Sequence, residues 1–386
     1  MTRYLYDEDA YLSCFEAKVL NVQPAADSGR YEIELDATAF FPEQGGQTAD
    51  TGTLDGTVKV LDTQIRGGVV FHVCDAPLPV GAAVRGEINF AHRFSHMQQH
   101  TGEHILSGLC ARTYGARNVG FHLSDRIVTV DYDCVLTLEK LDALETAANR
   151  AVWEDLPVRC WFPTPEEAER LPYRSKKEID GRLRVVSISG VDDCACCAPH
   201  VRRTGEVGLI KIMSAARYKG GMRLSILCGQ RALQAVQEKQ RRLEAVSRYM
   251  TCGEDELLQV LEKRDAELKQ ARLNAGRLSA ELLCRDAAAM RGNGGRLLRT
   301  EQADMQAMIA AAAALAADRS GPVGVFAGND QAGYSFCLAA TGDLRAWFEG
   351  FRAKTNARGG GDDRLVRGQC AAAWADIAAY FEQDGV

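Results

Sequence analysis

The sequence has no apolar run long enough to cross a bilayer. Its amino terminus, Met1-Thr2-Arg3-Tyr4-Leu5-Tyr6-Asp7-Glu8-Asp9-Ala10, carries acids where a secretory leader needs a basic and then an apolar stretch. A cytoplasmic protein is therefore expected. The cysteine pattern of a stapled scaffold is missing too: the thirteen cysteines are odd in number and scattered over 386 residues except at 194 to 197, which predicts reduced thiols. Positive charge is not in excess, since the formal net charge is -6, which argues against nonspecific nucleic-acid binding and leaves only local basic patches. One surrounds Gly359-Gly360-Gly361 with Arg352, Lys354, Arg358, Arg364 and Arg367; Arg202, Arg203, Lys211, Arg217, Lys219 and Arg223 make the other. Solvated loops account for either patch equally well. Disorder is excluded by composition, 46% hydrophobic and 25% charged, and the length calls for two to four domains.

Two short motifs carry the chemistry. In His100-Thr101-Gly102-Glu103-His104 the two histidines stand four apart, and on a helix such residues share a face and can aim both imidazoles at one point. The run Asp193-Cys194-Ala195-Cys196-Cys197-Ala198-Pro199-His200 offers a thiolate and a third imidazole, completing the four-coordinate nitrogen and sulfur set that zinc prefers. Spacing alone leaves Cys194 and Cys197 as rivals to Cys196. A lone helical histidine is more often a hydrogen-bonded residue, and a lone cysteine a small buried hydrophobe, so it is the coincidence of both spacings that points to a metal. The first motif also reads as His-x-x-Glu-His, the inverted zinc peptidase pattern in which Glu103 would be the general base. Such peptidases complete the shell with a carboxylate, whereas the next motif here supplies Cys and His.

The pattern along the chain predicts an α+β protein of four parts. Residues 1–90 alternate apolar and polar positions, as in Phe15 to Leu20 and Tyr31 to Leu35, and read as a small β-barrel that includes the turn-like Phe40-Phe41-Pro42-Glu43-Gln44-Gly45-Gly46-Gln47. Residues 91–235 mix a helix over Arg93 to Tyr114, a second over Leu138 to Trp153, and strands that bring the cysteine cluster to a strand end. Residues 236–289 are Leu-spaced and charged, interrupted at Thr251-Cys252-Gly253, and read as a helical hairpin or arm. Residues 290–386 read as a small α/β domain.

His100-x-x-x-His104 with Cys196-x-x-x-His200-Val201, Val119-Gly120-Phe121-His122-Leu123, Thr204-Gly205-Glu206-Val207-Gly208 and Phe41-Pro42-Glu43-Gln44-Gly45-Gly46-Gln47 resemble the editing domain of alanyl-tRNA synthetase. Their order is that of the free-standing alanyl-tRNA editing proteins of the AlaX type. The helical arm followed by Asn356-Ala357-Arg358-Gly359-Gly360-Gly361 looks like the DHHA1-type carboxyl-terminal domain of the long form, with no room for a class II aminoacylation domain. The turn Cys196-Cys197-Ala198-Pro199-His200 departs from the family's usual Cys-Gly-Gly-Thr-His, and Gln44 stands where the family often has a small residue.

This resemblance implies hydrolysis of the ester that joins serine, or glycine, to the 3′ end of alanine tRNA. An alanine pocket cannot strongly reject an added hydroxyl or a smaller residue, so a second site has to destroy the error. It implies Zn2+ on His100, His104, Cys196 and His200, which selects Cys196 among the sulfurs. It places Gly45, Gly46, Gln47 and His122 at the substrate, and Arg358, Gly359, Gly360, Gly361, Arg364 and Arg367 on tRNA. A noncatalytic tRNA-binding protein whose zinc fastens the fold is the remaining alternative.

Overall fold

The computed structural model describes residues 2–25, 29–175, 182–291, 294–317 and 319–383. The chain divides into two compact units, Met1–Leu243 and Glu244–Val386.

In the first unit, alternation makes the barrel. Strand Cys14–Pro24 turns Phe15, Ala17 and Val19 inward and leaves the residues between them exposed, as a period of two demands. Antiparallel partners Tyr31–Leu35, Val69–Cys74, Val58–Arg66, Gly52–Leu54 and Ala83–Ile88 close a six-stranded barrel, filled by Ile33, Leu35, Phe40, Leu54, Val60 and Val84. Closure removes the exposed strand edges.

The chain then enters helix Phe90–Tyr114, capped by the Asn89 side chain at its start and ended by Gly115 at φ +67°. Arg93 fastens this helix to the barrel. Fully buried, it donates to both carboxylate oxygens of Asp50 and to the carbonyls of Ala10 and Ala39. Asp50 in turn accepts from the Phe41 amide, so the segment between Phe41 and Asp50 leaves and returns at one fixed point. Breaking so deeply buried a pair by removing one partner costs about 3–5 kcal/mol.

Two sheets cover the helix. One has the order Ile210–Tyr218, Gly221–Cys228, Val128–Tyr132, Asn118–Leu123; the other joins Val158–Trp161, Val185–Ile188 and Asp192–Ala195. Helix Leu138–Trp153 closes the core with Leu141, Leu144, Ala148 and Val152. Gly108 decides how near the second sheet comes, because a Cβ there would lie 2.5 Å from the Val191 carbonyl oxygen and 2.6 Å from the Asp192 Cβ.

Helix Gly229–Met250 ends at Thr251, at φ +57°, and helix Leu257–Arg291 begins after a single tighter turn, which matches the expected interruption. On this second helix Leu258, Leu261, Leu268, Leu273, Leu278 and Leu282 are exposed, while Leu283 and Ala287 pack on helix Met305–Ala316. The last sheet runs Leu297–Thr300, Val323–Asn329, Gly333–Ala339, Leu365–Cys370, Arg358–Gly361, and its first pairing alone is parallel. This corrects the expected α/β reading of residues 290–386 to α+β. The cause is the short link at Asp330–Ala332, which can join only an antiparallel pair. Gly359, Gly360 and Gly361 are likewise an exposed edge strand rather than a turn. No helix among the described residues is long and apolar enough to cross a membrane.

Candidate metal centre

His100 and His104 lie on consecutive turns of helix Phe90–Tyr114, buried to 2% and 1% exposure. Strand Asp192–Ala195 delivers the cysteine run to the same place, with Cys196 just past its end and His200 four residues on. The structure thus brings together two segments that are 96 residues apart, with Cys196 Sγ at 3.5 Å from His100 Nε2 and 3.4 Å from His200 Nε2. One ligand atom from each of His100, His104, Cys196 and His200 lies within 4.8 Å of all the others. Ligands at about 2.0–2.3 Å from a tetrahedral zinc stand roughly 3.3–3.6 Å apart, so the residues fit that ion.

The remaining nitrogens strengthen the fit. His100 Nδ1 is 2.9 Å from Gln47 Oε1, His200 Nδ1 is 2.9 Å from Thr101 Oγ1, and His104 Nδ1 is 3.1 Å from Asp192 Oδ2. Gln47 Oε1 and Asp192 Oδ2 can only accept, so His100 and His104 donate from Nδ1–H and keep the Nε2 lone pair for a metal; the Thr101 hydroxyl can accept from His200 in the same way, the usual outer arrangement of such sites. Arg174 grips Asp192 with Nε and Nη2 at 2.7 and 2.8 Å. The Asp192 carboxyl loses solvation by burial, yet the hydrogen bonds from His104 and Arg174 hold its pKa below the usual value. Burial works against a charged His104, but the nearby Cys194 and Asp192 outweigh it and raise its pKa.

Of the three rival sulfurs, that of Cys196 groups with all three imidazoles. Cys194 sits beside His104 and Asp192 on the strand, its thiol pushed up by burial. The Cys197 thiol is pushed up to about 12 by burial and lies on the Gly45 side, 3.5 Å from where a Gly45 Cβ would be.

The glycine segment borders the cluster. Gly45 and Gly46 hold φ of +66° and +84°, and Gly46 backs directly onto Phe121, whose carbonyl oxygen would be 2.6 Å from a Cβ. The amide of Leu123 donates to the Gly46 carbonyl, and that of Thr48 to the Leu123 carbonyl. Gln47 is buried, and its Nε2 has no hydrogen-bond partner among the described residues. Strand parity places the other expected contact elsewhere: Phe121 packs its ring 4.7 Å from that of His100, while His122, one residue on, is exposed and is not among the side chains brought to the cluster. Arg358, Arg364 and Arg367 are exposed in the second unit, where Arg345, Arg352, Gly359, Gly360 and Gly361 line a cavity of about 360 Å³.

Glu103, the base of the peptidase reading, is fully buried and accepts from Ser107 Oγ and Asn118 Nδ2, in a network that also includes the Tyr132 hydroxyl. Sequence reasoning missed Thr101, Asp192 and Arg174. Thr101 stood inside the motif, but neither acid nor arginine had a spacing signal.

Residues 183–225 match the family model of the threonyl and alanyl tRNA synthetase second additional domain, which covers the cysteine run and the strands after it. Residues 7–92 match that of the class II (A) tRNA synthetases, a segment that here forms the barrel and the first turn of the helix. The alanine--tRNA ligase of Pyrobaculum neutrophilum is 36% identical over 318 residues, 78% of this chain and 34% of the relative. That of Pyrococcus abyssi is 36% identical over 295 residues, 73% of this chain and 32% of the relative. That of Halobacterium salinarum is 36% identical over 290 residues, 69% and 30%. The chain spans about a third of the length of these relatives. It is a relative of the alanyl-tRNA synthetases that carries their second additional domain, in keeping with an editing protein of the AlaX type.

Proposed function

We propose that the chain is a trans-editing hydrolase that cleaves the 3′ aminoacyl ester of tRNA(Ala) mischarged with serine, and of the glycyl form. The observation that carries this reading is the convergence of His100, His104, Cys196 and His200 beside the Gly45-Gly46-Gln47 segment. Zinc held by all four side chains would have no open position and would serve to hold the site together beside the amino acid; it could polarise the ester or lower the pKa of a water only with one of the four ligands released. Gln47 orients His100 through Oε1, and its buried Nε2, without a partner among the described residues, is a donor that a substrate oxygen would satisfy. The glycines let backbone approach where a side chain would collide. His122 reaches no atom of the cluster, and its assignment to substrate depends on the acceptor end of the RNA passing over the outer face of its strand.

The ligand set speaks against peptide hydrolysis, because Cys196 and His200 complete the cluster where inverted zinc peptidases use a carboxylate; Glu103 holds Ser107 and Asn118 through Oε1 and sets Oε2 3.9 Å from His104 Nε2. For RNA, exposed Arg358, Arg364 and Arg367 on and around an edge strand that is otherwise glycine suit phosphate contact, so binding is expected to weaken with salt. The functional parts we assign are a barrel at 1–90, an editing region at 91–235, an arm at 236–289 and a tRNA-contacting domain at 290–386, in a cytoplasmic protein.

The test is release of serine from seryl-tRNA(Ala) by wild type and His104→Ala, with casein as the peptidase control. Seryl release lost in the variant, with casein intact, is expected. Ester left intact by both would point to a noncatalytic tRNA-binding protein, and casein cleavage to the peptidase.

A further inference from the structure

The helix that carries His100 and His104 carries a second pair one and two turns earlier, at His92 and His96. We infer that His92, His96 and Asp125 form a second metal site, for a divalent first-row transition metal bound through two imidazoles and one carboxylate. One ligand atom from each of the three lies within 4.8 Å of the other two. Both rings turn Nε2 to the same carboxylate oxygen of Asp125, at 2.7 Å from His92 and 3.3 Å from His96, and the ring centroids are 4.1 Å apart. Two histidines and one carboxylate with open positions suit such ions, which carry water or a ligand in the remaining places.

The surroundings allow this. His92, Ser95, His96, Asp125, Gln230 and Arg231 border a cavity of about 300 Å³, room for the waters that would complete the shell. His96 is 1% exposed, and Nδ1 of both rings is buried with no hydrogen-bond partner among the described residues, so no acceptor holds a proton on Nδ1 of either ring. Arg231, anchored on the Ser124 carbonyl at 2.9 Å, brings a positive charge to the same wall. Affinity is therefore expected to be lower than at the four-ligand cluster, whose Nδ1 atoms all have partners.

Asp125 lies in the turn between strands Asn118–Leu123 and Val128–Tyr132, and the first of these holds the Gly46 segment through Leu123. Thr48 Oγ1, from that segment, is 3.4 Å from His96 Nε2. An ion on Asp125 would tie the turn to the helix and stiffen one wall of the His100 site.

Cobalt(II) titration of the full chain tests this, because the cluster with Cys196 gives a thiolate-to-cobalt charge-transfer band and a His2Asp site does not. Wild type is expected to take up two equivalents, the tighter with the band and the weaker without it. Asp125→Asn, whose carboxylate is 70% exposed and so tolerates change, and His92→Ala should each keep the band and lose the weaker equivalent. Cys196→Ser should lose the band and keep the weaker equivalent, which separates failure of one site from failure of the other. Saturation of the wild type at a single band-bearing equivalent, or survival of the second in both Asp125→Asn and His92→Ala, would overturn the assignment.

Discussion

Gln47 Oε1 lies 2.9 Å from His100 Nδ1, so a side chain from the segment that leaves the barrel fixes the ring orientation of a ligand on the central helix. Replacing it frees the ring. Gln47→Ala is expected to weaken metal binding by about 10–100-fold, as loss of an outer partner does, while the folded state persists. Competition against a graded series of chelators measures this; unchanged retention would mean that packing against Phe121 alone orients the imidazole.

Asp192 joins His104 to Arg174, and both depend on its charge. Asp192→Asn keeps an oxygen for His104 but leaves the Arg174 guanidinium, 23% exposed, without its counter-ion. Both the metal and the fold should suffer. The expected result is weaker metal retention together with a drop in unfolding free energy of up to about 3–5 kcal/mol, the range for breaking a buried pair. Urea titration of the metal-loaded protein reads it, and an unmoved midpoint would contradict it.

Gly45 and Gly46 should differ when changed. Alanine at either meets backbone strain, roughly 1–3 kcal/mol at positive φ. At Gly46, however, the new Cβ would also lie 2.6 Å from the Phe121 carbonyl oxygen, against 3.5 Å from Cys197 Sγ at Gly45. Gly46→Ala is thus expected to lower kcat/KM for ester release at least tenfold more than Gly45→Ala. Equal effects would show that strain rather than collision is what matters.

His72 sets an acid limit on the barrel. Fully buried, it pairs Nδ1 with the Ile33 carbonyl at 2.9 Å and Nε2 with Thr38 Oγ1 at 2.8 Å, and burial lowers its pKa to about 4. Folding favours the neutral ring, so the unfolded chain binds the extra proton first. The contribution is complete above the unfolded value near 6.5, and it is lost as pH falls through the folded value near 4. Melting curves between pH 7.5 and 4.5 should show His72→Gln losing less stability on acidification than wild type; parallel decline of the two would place the acid sensitivity elsewhere, with buried His96 the next group to examine.

Much of this was legible in the residues. Alternation at Phe15, Ala17 and Val19 is visible without coordinates because a strand's period is local, and so is the shared face of His100 and His104. The glycine run at 359–361 was not, since glycine permits a turn and an edge strand alike, and what settled it was pairing with Leu365–Cys370. Nor could any local signal tell that Leu258, Leu268 and Leu278 would be exposed.

The sequence by itself determined the kinds of ligand available and the helical spacing of the first two, because both are properties of neighbouring residues. Spacing left three cysteines open and the resemblance named Cys196, whose Sγ the tertiary structure sets 3.4 Å from His200 Nε2; only that structure decided that Asp192, 88 residues from His104, orients its ring, and that Phe121 rather than His122 faces the site. Those outcomes rest on strand register and on the close approach permitted at Gly108, and a shift of one residue in register turns every side chain of a strand to its other face.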